Sequence, residues 1–235
     1  MMTRKMVIDL YFVGPSPPCR AVMMAAKHLN INLNPKYVDL MKGEQKEEWF
    51  LKLNPQHCLP TICDNGYVLW ESRAIMCYLA NKYAPNSSLY PSDPQKRAEV
   101  DRILQWDLGT IYRTIGEYLA PILRDTKNPN DLDPEKGKKI REALQIMDQM
   151  LNNQPFLAGN EITLADLSVL ASLSLAEVFD YDLIGEYKNV KRWSDGLKRD
   201  LPYYDEINKE PIGMFRAHIK SKVTDLNGQQ NTGNH

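Results

Sequence analysis

From residue 6 to residue 83, short apolar runs typical of strands alternate with segments whose apolar residues recur at helical spacing. The apolar runs predict four strands, at residues 6–12, 36–40, 61–63 and 67–70. The last two flank Asn65 and Gly66, and an Asn-Gly pair between apolar runs is the strongest short-range signal for a β-hairpin. Helices are predicted at residues 21–29, 44–53 and 71–83. The predicted order is therefore strand, helix, strand, helix, hairpin, helix.

This order predicts a small mixed sheet with helices on both faces, which is the thioredoxin-like arrangement. The next segment, residues 85–94, is dense in turn-forming residues and cannot continue a helix. Beyond it the pattern is almost entirely helical, with helices predicted at residues 95–119, 134–151, 188–198 and 212–219. We therefore expect an α/β, thioredoxin-like domain at residues 5–85 and an all-α domain at residues 93–221. Residues 222–235 are polar and are predicted to form a disordered tail.

One further helix start is marked by its polar residues. Thr163 is a typical N-cap, and Asp166, three residues later, can reach back to it as in a capping box. Ile162 and Leu167 are spaced to pack across the same helix end. The helix that follows is apolar nearly all round, through about Val178, so we expect it to form the buried centre of the helical domain.

Composition narrows the range of functions. The chain has 235 residues, a formal net charge of −1 and a pI near 6.4, which gives no electrostatic reason to expect nucleic acid or an acidic membrane as a partner. No apolar run approaches the roughly 18 residues of a membrane span, and Asp9 interrupts the N-terminal one, so no secretory signal is predicted. The four cysteines form no Cys-x-x-Cys pair and no spaced framework, which favours reduced thiols in the cytosol over a disulfide scaffold.

Three motifs resemble one known family. Residues 54–61 (NPQHCLPT) and 69–75 (LWESRAI) resemble the glutathione-binding sequence of insect delta-class glutathione transferases. Residues 14–20 (GPSPPCR) resemble the serine loop of that family, and residues 164–166 resemble its buried capping motif. The match extends from about residue 6 to residue 220, and Arg73 favours the delta class over the related epsilon class, where His is usual.

The resemblance implies a cytoplasmic, homodimeric enzyme that joins glutathione, its co-substrate, to small electrophilic and mostly apolar compounds, without a metal. Glutathione peroxidase activity and dehydrochlorination are possible side activities. The thiol would be activated by the hydroxyl of Ser16, which can donate a hydrogen bond to sulfur near the positive end of the following helix. Glutathione also carries two carboxylates and an ammonium group, and these require their own partners.

Glu71 and Ser72 stand at the first turn of a predicted helix, where free N–H groups and the helix dipole favour an anion. The γ-glutamyl carboxylate is therefore assigned to Ser72 and the ammonium group to Glu71, although Ser72 would also serve as a plain cap. Arg73 would either clamp the same carboxylate or form a structural ion pair.

The resemblance assigns the rest of glutathione to the loop around Pro60. Pro60 is expected to be cis, with the main chain of Leu59 pairing with the cysteinyl unit like an added strand. His57 would donate to the glycyl carboxylate. The family often carries His where this chain has Gln45, so Gln45 is either a weak contact to that carboxylate or an ordinary surface residue.

The electrophile pocket is expected between the domains, lined by Val13, Tyr112, Ile115 and Tyr118. Asp107, on the edge of the same helical stripe, is expected to form an interdomain hydrogen bond.

Two other functions are compatible with parts of the sequence. Ser16 and Cys19 have the spacing of a redox Cys-x-x-Cys loop whose first cysteine is replaced, which would suit a thiol–disulfide oxidoreductase. A non-enzymatic module that binds apolar ligands or partner proteins could retain the same fold.

Overall fold

The computed structural model describes residues 7–123, 132–179, 181–217 and 219. The tail predicted at residues 222–235 lies outside the described residues. Among the described residues, none of the helices combines the length and the apolar character that crossing a bilayer requires.

The N-terminal part is built on one four-stranded sheet with the order β2-β1-β3-β4. The strands are β1 (Ile8–Phe12), β2 (Leu33–Tyr37), β3 (Thr61–Asp64) and β4 (Tyr67–Trp70). β1 pairs in parallel with β2 and antiparallel with β3, and β3 and β4 form the predicted antiparallel hairpin. Asn65 and Gly66 at the hairpin turn both have positive φ, as the Asn-Gly signal requires.

β2 lies earlier than the sequence pattern predicted. The prediction was residues 36–40, but the paired strand runs from Leu33 to Tyr37 and contains Pro35. β2 is an edge strand, where proline is tolerated because one side of the strand has no partner. Val38 is apolar and was therefore included in the predicted strand. It is buried, and its N–H donates to the carbonyl of Phe12 just after β2 ends.

Three helices accompany the sheet, as predicted. They are α1 (Pro17–His28), α2 (Glu48–Leu53), which follows a 3-10 turn at Glu44–Lys46, and α3 (Ser72–Tyr83). α1 starts four residues before its predicted beginning, because prolines are accepted in the first helical turn, where no N–H donor is needed. This early start makes Ser16 the N-cap residue of α1.

The second part is helical. It contains α4 (Pro94–Trp106), α5 (Arg113–Leu123), α6 (Pro134–Met150), α7 (Leu164–Leu173), α8 (Lys188–Asp200) and a last helix, α9, at residues 210–217. A wide π turn at Asp107–Tyr112 joins α4 to α5, and another at Asp205–Lys209 leads into α9. The thioredoxin-like sheet domain followed by a helical domain is the fold class that the sequence predicted.

α7 is the centre of the helical part, and every one of its residues is buried. It ends at Leu173, earlier than predicted, and the chain continues through a 3-10 turn at Ala176–Phe179. Thr163 and Asp166 form the predicted capping box. α7 packs against α1 on one side and α4 on the other, so it holds the two parts of the chain together.

Candidate active site

The sheet brings three loop regions to one edge. Tyr11, near the end of β1, is the partner of Thr61 at the start of β3, and Thr61 is the partner of Trp70 at the end of β4. The segment after β1 leads to Ser16, the segment before β3 contains Pro60, and the segment after β4 contains Glu71. The serine loop and the two segments that resemble the glutathione-binding sequence therefore meet at this edge.

Ser16 connects the β1 edge to α1. Its N–H donates to the carbonyl of Val13 at 3.3 Å, and its own carbonyl accepts the N–H of Arg20 at 3.0 Å. Within the described chain its hydroxyl makes no hydrogen bond to the backbone of the helix that it begins. A serine at an N-cap normally uses its hydroxyl in that way. Here the hydroxyl stands at the positive end of α1 without capping it.

Cys19, one turn into α1, is completely buried. Burial raises the pKa of the Cys19 thiol to about 11, although the side chain of Ser16 interacts with this thiol and opposes the shift. A thiol with that pKa is protonated at neutral pH and is a poor nucleophile. The geometry therefore disfavours the thiol–disulfide oxidoreductase that the Ser16–Cys19 spacing suggested.

Ser16 borders a cavity of about 540 Å³ between the two parts of the chain. This volume is typical of a small-molecule site. The sheet domain contributes Val13, Leu40 and Met41, and the helical domain contributes Tyr112, Leu175 and Phe215. No lining residue that the structure describes carries a charge, so the cavity suits a neutral, apolar ligand.

The cavity contains two of the four residues that the sequence predicted for the electrophile pocket. Val13 and Tyr112 line it, whereas Ile115 is only 1% exposed in the core and Tyr118 lies beside Tyr181 at a separate depression. Helix geometry explains the difference. Ile111 and Ile115 are four residues apart and share the buried face, while Tyr112, the residue after Ile111, faces another side of the helix and reaches the cleft.

Several residues that line the cavity were not predicted from the sequence. Leu40 and Met41 are an exposed apolar pair in an otherwise polar turn, and Met41 is 79% exposed. The adjacent Leu-Met pair in a polar turn was the available sequence signal, because contiguous exposed apolar surface can belong to a ligand-binding groove. Leu175 and Phe215 gave no comparable signal, since each belongs to a stretch that reads as ordinary helical core.

The start of α3 has the features of an anion site. Glu71 is exposed at its N-cap with φ of 71°, and its carbonyl accepts the first helical hydrogen bond, from Ile75. A non-glycine residue with positive φ is uncommon and tends to occur at functional sites. Ser72, the first helical residue, is buried.

Arg73 forms an ion pair across the two domains. Its Nη2 donates to the Oδ2 of Asp107 at 2.5 Å, and the hydroxyl of Ser168 donates to the same oxygen at 2.5 Å. Asp107 therefore makes the interdomain hydrogen bond expected of it. The guanidinium also lies 5.7 Å from the centre of the Tyr112 ring. Arg73 thus joins the start of α3 to the wall of the cavity.

The loop before β3 is held by two buried polar residues that no sequence pattern marked. The amide of Asn54 donates to the carbonyl of Cys58 at 3.2 Å and to the hydroxyl of Thr61 at 2.9 Å. Thr61 in turn donates to the same carbonyl at 2.9 Å. The Leu59–Pro60 peptide bond is cis, as expected. In the described structure the main chain of Leu59 makes no hydrogen bond, so both its polar groups are available.

The two residues predicted to contact the glycyl carboxylate lie on neighbouring segments. His57 is exposed, has φ of 45°, and its Nδ1 lies 3.5 Å from the carbonyl oxygen of Pro55. Gln45 lies in the 3-10 turn before α2, and its Oε1 is buried without a partner among the described residues. The described residues contain no group of three or more His, Cys, Asp or Glu that could hold a metal ion.

Comparison with known proteins identifies the family of this chain. The family model described as glutathione S-transferase, N-terminal domain matches residues 6–81, and that of the C-terminal domain matches residues 111–199. Glutathione S-transferase D6 of Drosophila melanogaster is 41% identical over 199 residues, which cover 85% of this chain and 91% of that protein.

Solved structures of insect enzymes are also similar. A delta-class glutathione transferase of Nilaparvata lugens is 44% identical, with a TM-score of 0.85 over 91% of this chain and 99% of that one. An epsilon-class glutathione S-transferase of the housefly, Musca domestica, is 33% identical, with a TM-score of 0.81 over 92% of this chain and 98% of that one. The chain therefore belongs to the glutathione S-transferase family.

Proposed function

We propose that this glutathione transferase conjugates glutathione to neutral, apolar electrophiles and that the hydroxyl of Ser16 activates the thiol. One observation carries the proposal. Ser16 stands at the N-terminus of α1 beside the apolar cavity, and among the described contacts its hydroxyl does not cap the helix. A hydroxyl has one donor and two acceptor sites, so Ser16 can donate to a bound sulfur while facing Cys19.

The required stabilisation of the thiolate is modest. A free thiol has a pKa near 8.5, so only a few per cent is thiolate at pH 7. Lowering that pKa by about two units corresponds to about 2.7 kcal/mol of preferential thiolate stabilisation. A charge-assisted hydrogen bond and the end of a helix dipole together are of this size.

The remaining groups of glutathione have candidate partners around Ser16. The γ-glutamyl carboxylate would meet the α3 N-terminus at Ser72, and its ammonium group would meet Glu71. The cysteinyl unit would pair with the unbonded main chain of Leu59, next to Pro60. The glycyl carboxylate would be reached by His57, with Gln45 as a second contact. Arg73 would act by orienting the α3 terminus through its ion pair with Asp107.

The electrophile would occupy the cavity between Val13 and Tyr112. The absence of charge from its described lining argues against anionic or cationic acceptors, since a charged group would lose its hydration there without compensation. Peroxidase activity, dehydrochlorination and homodimer formation are proposed from the family. A cytoplasmic location is supported by four cysteines that are all free thiols.

Initial rates with glutathione and three acceptors test this function: an aryl chloride, an organic hydroperoxide and a mixed disulfide. We expect conjugation of the aryl chloride, and retention of the protein on immobilised glutathione. Failure to bind glutathione under reducing conditions would point to the non-enzymatic module. Exchange with the mixed disulfide that is lost in Cys19→Ala and kept in Ser16→Ala would identify a thiol enzyme instead.

A further inference from the structure

Arg20 is a fully buried cation beside the candidate active site. It lies on α1, one turn after Ser16, and none of its side chain is exposed. Its Nη1 donates to the hydroxyl of Ser174 at 2.7 Å and to the amide oxygen of Asn208 at 2.6 Å. Nη2 lies 3.5 Å from the carbonyl of Pro15. In the described structure its hydrogen-bond acceptors are thus all neutral, and its Nε has none.

The surroundings of Arg20 do not neutralise it. Four titratable groups, from four segments, influence the pKa of Arg20. They are Cys19, Tyr112, Glu177 and Tyr204. Burial raises the pKa of Cys19, Tyr112 and Tyr204, so these three groups are neutral at physiological pH. The carboxylate of Glu177 acts on Arg20 but also accepts a hydrogen bond from Lys198 at 2.6 Å, so Arg20 is not its only cationic partner. Arg73 and Asp107, whose charges act on Tyr112 as that of Arg20 does, form a pair that is neutral as a whole.

Arg20 nevertheless keeps its charge. Burial lowers the pKa of its guanidinium to about 10, which still leaves it protonated at neutral pH. Buried charges in proteins are usually paired, because an unpaired one is costly. The contacts of Arg20 to Ser174 and Asn208 explain how it joins α1 to the end of α7 and to the turn before α9, but a neutral donor could make the same contacts. The charge itself remains unexplained by packing.

The position of the charge suggests its counterpart. The guanidinium contacts the carbonyl oxygen immediately before Ser16, and the N–H of Arg20 bonds to the carbonyl of Ser16. It therefore lies directly behind the residue that we assign to the thiol. A glutathione thiolate held at Ser16 would bring a negative charge close to this guanidinium.

We propose that Arg20 stabilises the thiolate of bound glutathione by its charge, from inside the protein, in addition to the hydrogen bond from Ser16. Arg20 does not touch the substrate and is a positioning residue with an electrostatic role. The proposal rests on the assignment of the thiol to Ser16. A unit charge within about 10 Å, at an effective dielectric constant of about 20, changes a pKa by about one unit.

The decisive variant is Asn208→Asp. Aspartate has the shape of asparagine and can accept the same hydrogen bond from Arg20, but it neutralises the guanidinium. We expect the pKa of the enzyme-bound thiol, followed by ultraviolet absorption of the thiolate, to rise by about one unit. The conjugation rate should fall about fivefold to tenfold at pH 6 and little at pH 9, where the thiol is ionised in either case.

Two further variants separate charge from structure. Ser174→Ala removes a hydrogen bond to the same guanidinium without changing any charge, so it should lower the melting temperature and leave the thiol pKa unchanged. Arg20→Met removes the charge and should raise the thiol pKa as Asn208→Asp does, whereas Arg20→Lys should keep it near the wild-type value.

The outcomes distinguish this proposal from the assignment of Ser16. If Asn208→Asp leaves the thiol pKa unchanged while Ser16→Ala raises it, Arg20 is structural only and Ser16 keeps its role. If the wild-type protein binds glutathione without lowering its thiol pKa, the activation mechanism itself is wrong. If Arg20→Met does not fold, Asn208→Asp alone decides, because it preserves the buried hydrogen bond from Arg20 and loses only the contact of the Asn208 amide to the sulfur of Met24.

Discussion

Two helix N-termini in this protein carry similar polar residues and use them differently. At α7, Asp166 accepts hydrogen bonds from the N–H and the hydroxyl of Thr163, from the N–H of Leu157 at 2.9 Å and from the indole of Trp193 at 2.8 Å. At α1, the hydroxyl of Ser16 does not cap its helix within the described chain. The side chains of the first terminus are bonded to each other and to Leu157 and Trp193, and they are sealed in the core. The second leaves a donor and a helix dipole facing a cavity.

The comparison shows how a helix end becomes a candidate site. A complete cap closes the free N–H groups of a helix and makes the terminus structural. An incomplete cap at a cleft leaves the same groups available to an anion. Polar residues at a helix start therefore predict function only when the structure shows what their side chains contact.

The largest effect on stability is expected at the sealed N-terminus of α7. Asp166→Ala would leave several buried donors without an acceptor, so we expect a loss of about 3–5 kcal/mol in the free energy of unfolding. Chemical denaturation measures it. The activity per folded molecule should be unchanged. A loss below about 1 kcal/mol would mean that the α7 cap is not structural in the way the contacts indicate.

A substitution at the N-terminus of α1, which faces the cavity, should change the activity and not the stability. Ser16→Ala is expected to lower kcat by about tenfold to a thousandfold, or about 1.4–4 kcal/mol in transition-state free energy, with a smaller change in the KM for glutathione. The pH–rate midpoint should move upward toward the pKa of the free thiol. Steady-state kinetics across pH provide the measurement.

Cys19→Ala is the matched control for Ser16→Ala. Because the Cys19 thiol has a pKa of about 11, it does not ionise in the working range, and its removal should leave the pH–rate profile in place at some cost in stability. The assignment of Ser16 fails if Ser16→Ala is silent and Cys19→Ala abolishes turnover.

The α3 terminus is expected to show an intermediate effect. Ser72→Ala should raise the KM for glutathione about tenfold, because a charge-assisted hydrogen bond to the γ-glutamyl carboxylate is lost. Glu71→Ala should act in the same direction through the ammonium group. Kinetic titration of glutathione tests both. Little change in KM would make the α3 terminus a cap like that of α7.

The smallest effect is expected at α4, which is an exposed structural terminus. Asp93 accepts hydrogen bonds from the N–H groups of Gln95 and Lys96 at 3.1 and 3.0 Å. Asp93→Ala should cost about 1 kcal/mol of stability and leave every kinetic constant unchanged. An altered KM would show that helix ends influence the site through global stability. The contrast between the α7 and α1 termini would then not hold.

Local chemistry allowed much of this protein to be predicted from its sequence. The hairpin at Asn65 and Gly66, the capping box of Thr163 and Asp166, and the helix start at Ser72 depend on residues close together in the chain. Their backbone geometry follows from turn and cap preferences that operate within a few residues. The strand and helix order, and with it the thioredoxin-like domain and the helical domain, followed from these signals.

Contacts between distant segments were decided only by the tertiary structure. The hydrogen bonds of Arg20 to Ser174 and Asn208 join residues 154 and 188 positions apart, and no local pattern encodes them. The same holds for the cavity, because Phe215 of the last helix lines it and Ile115 does not. Helical periodicity shows that a residue is apolar and lies on a given face, but not whether that face meets a core or a cleft. That outcome depends on how the helices pack, which is determined by the whole chain at once.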